Sequence, residues 1–110
     1  MTDLRRFPVV NVNEMTLQIN DHYKQYVINK FKDELDGVHY IFRFPNNYGA
    51  SVIKGRYTYG CERDLWEMGL IFFNEDGDWR LTYEKDFDDD VKGYLTDDNV
   101  NEFLEKIKQY

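Results

Sequence analysis

One cysteine, two histidines and two prolines in 110 residues leave little of the usual equipment for site chemistry. The lone Cys61 permits no internal disulfide, which fits a reducing compartment. His22 and His39 lie far from Cys61 and from any serine in a nucleophile turn, and one thiol with two scattered imidazoles is too thin for a zinc site. No Walker loop, Gly-x-Gly-x-x-Gly or His-Glu-x-x-His occurs, so no cofactor is expected and any enzymatic activity would have to rest on carboxylates alone. No apolar run approaches the roughly 20 residues that span a bilayer. The start, Met1-Thr2-Asp3-Leu4-Arg5-Arg6, is not followed by an apolar signal segment, so a soluble, unexported chain with no membrane partner is expected. Basic residues are also in deficit, 14 against 21 acidic, for a net charge of −7. Residues 1–57 hold eight basic and six acidic side chains, whereas residues 58–110 hold six and fifteen, a balance of −9. Direct binding to nucleic acid, which depends on neutralising phosphates, is therefore not expected. The acidic half suits a basic partner, or serves only to keep the domain in solution.

Aromatic residues are plentiful at 17% and argue for a β-rich interior. The chain reads as one α+β domain over residues 1–110, with 1–19 an ordered arm or a helix extension. Its organising stretch is Phe44-Pro45-Asn46-Asn47-Tyr48-Gly49-Ala50-Ser51-Val52, where turn formers separate two runs of period two. The pattern predicts strands over Val38–Phe44 and Ala50–Gly55 joined by an odd-length loop. That register sets Phe42 opposite Val52 and Phe44 opposite Ala50, with Gly49 in the left-handed conformation. Strands over Leu65–Phe73 and Asp78–Tyr83, joined through Asn74-Glu75-Asp76-Gly77, form a second hairpin, and the polar residues 56–64 connect the two. The expected sheet is thus four-stranded and antiparallel.

Two helices complete the predicted fold. Ile19, Tyr23, Val27, Phe31 and Leu35 recur every fourth residue, which predicts a helix from Asn20 or Asp21 to Leu35, stopped by Asp36-Gly37. The C-terminal helix begins at an N-cap, Thr96, carries Asp97 and Asp98 in its first turn, and staples Leu95 to Val100. Its stripe of Val100, Phe103, Leu104 and Ile107 is expected to dock on Phe42, Val52, Leu70 and Leu81. On the other face of the sheet, Ile41, Ile53, Ile71 and Phe73 form an apolar row. Either the first helix covers that row through Tyr23, Val27 and Phe31, or the row binds a partner or a second copy. Asp86, Asp88 and Asp90 match positions one, three and five of an EF-hand loop, but Val91 stands where the loop requires glycine, so no metal is expected. The run with Asp88, Asp89 and Asp90 reads instead as a solvated loop and a candidate contact for a basic partner.

Phe44-x-Asn46-x-Tyr48-Gly49-Ala50-Ser51-Val52, Tyr59-Gly60, Leu65-Trp66-Glu67 and Asp89-Asp90-Val91-x-Gly93-Tyr94-Leu95-Thr96 resemble a family of small uncharacterised proteins encoded by tailed phages and prophages of Gram-positive bacteria. The resemblance covers about residues 37–110 and departs from the family at Asn47, where glycine is commoner. It implies a phage gene product made in the host bacterial cytoplasm and brings no catalytic residues. Three functions then stand open. The first is a non-enzymatic accessory protein that binds a host or phage protein, the second a structural or assembly role in the virion, and the third a carboxylate-based hydrolase.

Overall fold

A computed structural model of the chain describes residues 16–33, 37–55, 65–84, 87 and 91–110. The order of elements is α1 (Asp21–Lys24), β1 (Val27–Lys32), β2 (Val38–Arg43), β3 (Tyr48–Lys54), β4 (Trp66–Phe73), β5 (Trp79–Leu81), β6 (Lys92–Leu95) and α2 (Asp97–Lys108). The architecture is α+β, with an antiparallel sheet ordered β1-β2-β3-β4-β5 and β6 also paired to β4. Among the described residues the sheet has six strands where four are expected.

The largest correction falls on residues 21–35. Helix persists for only four residues, and Val27–Lys32 form an edge strand paired to β2. A spacing of four is also a multiple of two, so Val27 and Phe31 fit a strand as readily as a helix. The pairing decides between them. Asp33 accepts the Gly37 N–H at 2.8 Å and holds the His39 ring at 2.7 Å, and its own N–H donates to the Gly37 carbonyl. These bonds tie the end of β1 to the start of β2, and ladder formation with β2 overrides the local four-residue periodicity.

The hairpin of β2 and β3 has the expected odd loop but a register two residues shorter, with Phe42 opposite Ala50 and Tyr40 opposite Val52. Phe44 donates to the Tyr48 carbonyl and Asn47 to the Phe44 carbonyl, leaving a three-residue loop, Pro45-Asn46-Asn47. Asn47 (φ 68), not Gly49, takes the left-handed conformation. The hairpin of β4 and β5 repeats this construction, with Asn74 bonded to the Asp78 carbonyl, Gly77 to the Asn74 carbonyl, and Gly77 (φ 86) in the left-handed position. An odd loop of three sets Leu81 opposite Ile71. Leu81 therefore lies on the face away from α2, which corrects its expected place beneath that helix.

α2 begins as the sequence requires. Thr96 caps the Asn99 N–H at 3.1 Å, and the Asn99 side chain returns a bond to the Thr96 N–H. Leu95, Val100, Leu104 and Ile107 are buried with Phe42, Val52, Leu70, Trp66 and Met68 in the main core. The Asn46 amide ties the first hairpin to the helix end by donating to the Ile107 carbonyl at 2.9 Å. Immediately before the cap, Lys92–Leu95 pair with β4, and Tyr94 (φ 59) sits in the left-handed region where the register shifts. The approach to α2 therefore includes a strand.

Candidate functional site

α2 presents its polar side to residues 18–20, at the junction of the expected arm and the expected first helix. Asn101, buried within the helix, accepts the Asn20 N–H at 2.9 Å through Oδ1 and donates from Nδ2 to the Gln18 and Asp97 carbonyls at 2.8 Å each. Asp97 Oδ2 accepts the Gln18 N–H at 2.9 Å, while its Oδ1 accepts the Trp66 indole N–H at 2.8 Å. Residues 18–20 are thereby clasped along the first turns of α2 by side chains that mimic a strand partner. Leu17 and Tyr23 anchor the two ends of the clasped segment in the core.

Beside this clasp lies a shallow groove of about 420 Å³, lined by Asn20, Tyr23, Asp98, Asn101, Glu102 and Glu105. Asp98, Glu102 and Glu105 follow one another at spacings of four and three and so share a helix face. The Tyr23 hydroxyl donates to Glu105 Oε1, and the Gln109 amide donates to Glu105 Oε2 at 2.6 Å. The bond from Tyr23, then that from Gln109, holds the Glu105 carboxyl below its ordinary range. Burial, reinforced by the same bond, pushes the Tyr23 phenol up to about 12. Both bonds to Glu105 favour the ionised carboxylate.

Of the residues singled out from sequence, Ile41, Ile71 and Phe73 are brought together, but in the interior and not on an open surface. Ile41, Ile71 and Phe73 form a second buried cluster, with the Arg43 guanidinium 4.7 Å from the Phe73 ring centre, and Ile53 is half-buried. α1 does not cover them, since Tyr23 belongs to the opposite core and Phe31 is exposed on β1. Being buried, Ile41, Ile71 and Phe73 offer no open apolar surface to a partner. Asp88, Asp89 and Asp90 lie outside the described residues, as do Cys61 and Asp86. His22 is exposed and tilted against the Tyr23 ring at 4.1 Å, whereas His39 is half-buried, stacked on Phe31 at 4.4 Å and bound to Asp33. Among the described residues no group of three His, Cys, Asp or Glu side chains could hold a metal ion, and no helix is long and apolar enough to cross a membrane.

Sequence reasoning missed Asp97, Asn101 and Tyr23 as a unit. One signal was present: Asn101 interrupts the apolar stripe between Val100 and Leu104, where a polar side chain needs a specific partner. No protein-family model, curated protein or solved structure matches the chain.

Proposed function

We propose that the chain is an accessory protein of a phage or prophage, made in the host bacterial cytoplasm, that acts as a non-enzymatic protein-binding module. Its acidic C-terminal half meets a basic surface on a host or phage protein. The observation that supports this reading is the row Asp98, Glu102 and Glu105 on α2, a helix fixed by the core on its other side and by the Asn101 clasp beside the row. A row of like charges on a fixed helix is suited to electrostatic docking, and Glu105, held by Tyr23 and Gln109, is already placed when a complementary surface arrives. The virion-assembly alternative draws on the apolar row and on the aromatic content, and the burial of Ile41, Ile71 and Phe73 removes the first of these supports.

Retention of a host or phage protein on the immobilised chain, measured as salt is raised, tests the proposal. Binding should fall steeply between about 0.05 and 0.5 M salt as charges more than a Debye length apart are screened. Glu102→Lys, at an exposed position, should weaken retention at low salt without altering the melt. Retention indifferent to both salt and Glu102→Lys would exclude this surface.

A further inference from the structure

Among the described residues the sheet path ends at β5, a strand of three residues that are all exposed. Two bonds fix which backbone groups of that strand face outward. Asn74 donates to the Asp78 carbonyl at 2.9 Å and Thr82 donates to the Leu70 carbonyl at 2.9 Å, so positions 78, 80 and 82 turn toward β4. By the alternation of an antiparallel ladder, the N–H and C=O groups of Trp79 and Leu81 point away from the sheet. An edge of this kind is a template for another strand. Trp79 and Leu81 are also 42% and 44% exposed, and both project from the face opposite α2.

The charges along this edge select its occupant. Asp78 and Arg80 flank Trp79 on the α2 side of the sheet, and neither side chain has an ionic or hydrogen-bond partner among the described residues. The backbone N–H of Asp78 is taken by Asn74 Oδ1 at 3.0 Å, so its carboxylate has no part in closing the turn. Asp-Trp-Arg is self-complementary when read against itself in the antiparallel sense. If two copies align about a two-fold axis through Trp79, Trp79 meets Trp79 of the second copy as a hydrogen-bonded pair, and Asp78 of each copy lies opposite Arg80 of the other. The same register puts Leu81 opposite Gly77, whose turn leaves open space around its Cα. Moving the axis by one residue to Arg80 would oppose the two arginines, and like charges directly opposite are unfavourable.

We infer that β5 is a self-association edge, and that a second copy of this chain adds to it antiparallel about Trp79, joining two sheets into one. The pairing is short and built from few hydrogen bonds, so the dimer forms at high local concentration and dissociates on dilution. It is independent of the acidic face of α2, which lies on another element.

Sedimentation velocity of the whole chain over a wide concentration range, with charge reversals at the edge, tests the inference. Mass should rise from monomer to dimer with concentration. Asp78→Arg and Arg80→Asp should each weaken dimerisation by about ten-fold, because two symmetry-related attractive pairs become repulsive at once. The double variant Asp78→Arg with Arg80→Asp restores both pairs in reverse and should recover the wild-type association. Circular dichroism melts verify that the variants fold, and either single reversal suffices if the other does not. A wild-type chain that stays monomeric up to millimolar concentration overturns the inference, as would be found if the edge takes a strand from a different protein. A dimer whose formation ignores the single reversals, or is not rescued by the double variant, overturns it equally, since its interface then lies elsewhere.

Discussion

At the scale of single residues, the three-residue loops show how one conformational requirement is met by two side chains. Asn47 and Gly77 hold equivalent positions in their hairpins, each with positive φ. Asparagine tolerates the left-handed region where most side chains pay about 1–2 kcal/mol. Asn47→Ala should therefore cost about 1 kcal/mol, while Asn47→Gly should be close to neutral, as judged by denaturant midpoints. Gly49 is needed for a different reason. A Cβ built there would stand 1.9 Å from the Phe42 carbonyl oxygen and 2.9 Å from the Phe73 ring, both in the interior. Backbone cannot yield cheaply at so short a distance, and Gly49→Ala should destabilise by more than 2 kcal/mol, beyond the cost of the αL penalty alone. If Gly49→Ala melted with wild type, the close approach of β3 to β2 would be misplaced.

Between elements, the bond from Tyr23 to Glu105 makes a prediction in pH. A phenol raised in the folded state stabilises the fold fully below its ordinary value of about 10, and that contribution is lost as pH rises through about 12. The lowered carboxyl of Glu105 acts in the opposite sense: its contribution is present above the ordinary carboxylate value of about 4.3 and is lost as pH falls. The advantage of wild type over Tyr23→Phe should accordingly be widest near pH 7 and narrow toward both pH 3 and pH 12. Urea midpoints at those three values measure it, and a constant difference would mean that the hydroxyl and the carboxylate are not coupled. The elements themselves were unevenly legible. The Thr96 cap, the stripe of α2 and the turn at Gly77 are local patterns and could be read directly, whereas the first turn showed its place and odd length but not its register or its left-handed residue, Asn47. Residues 27–32 could not, because what holds them extended is a ladder to β2 and the contacts of Asp33, none of which leaves a periodic trace. The clasp was hidden for the same reason: Gln18 and Asn101 meet across 83 residues of chain. For the acidic groove, composition supplied the charge of residues 58–110, while the grouping of Asp98, Glu102 and Glu105 beside Tyr23 required the clasp to bring Tyr23 there.

For the whole molecule, the question is which side of the sheet is interior, since both faces carry apolar side chains. α2 covers one face, with Phe42, Ala50, Val52, Met68 and Leu70 beneath it. On the opposite face Ile71 and Leu81 are direct cross-strand partners, yet Ile71 is 0% exposed and Leu81 is 44% exposed. The boundary between core and surface therefore runs between β4 and β5, and the same substitution on its two sides should behave differently. Ile71→Asp buries a carboxylate in the apolar cluster of Ile41 and Phe73, a change worth about 3–5 kcal/mol, which is comparable with the whole stability of a small domain. Its melting temperature should fall by about 15 °C or more, or the cooperative transition should vanish. Leu81→Asp places the charge in water and should shift the melt little, within about 0.5 kcal/mol. Circular dichroism melts of the two variants at dilute concentration, where β5 is unpaired, make the comparison cleanly. Equal damage from both would place Leu81 inside the fold and remove the open edge on which self-association depends, whereas equal tolerance would expose Ile71 and reopen its row as a contact surface.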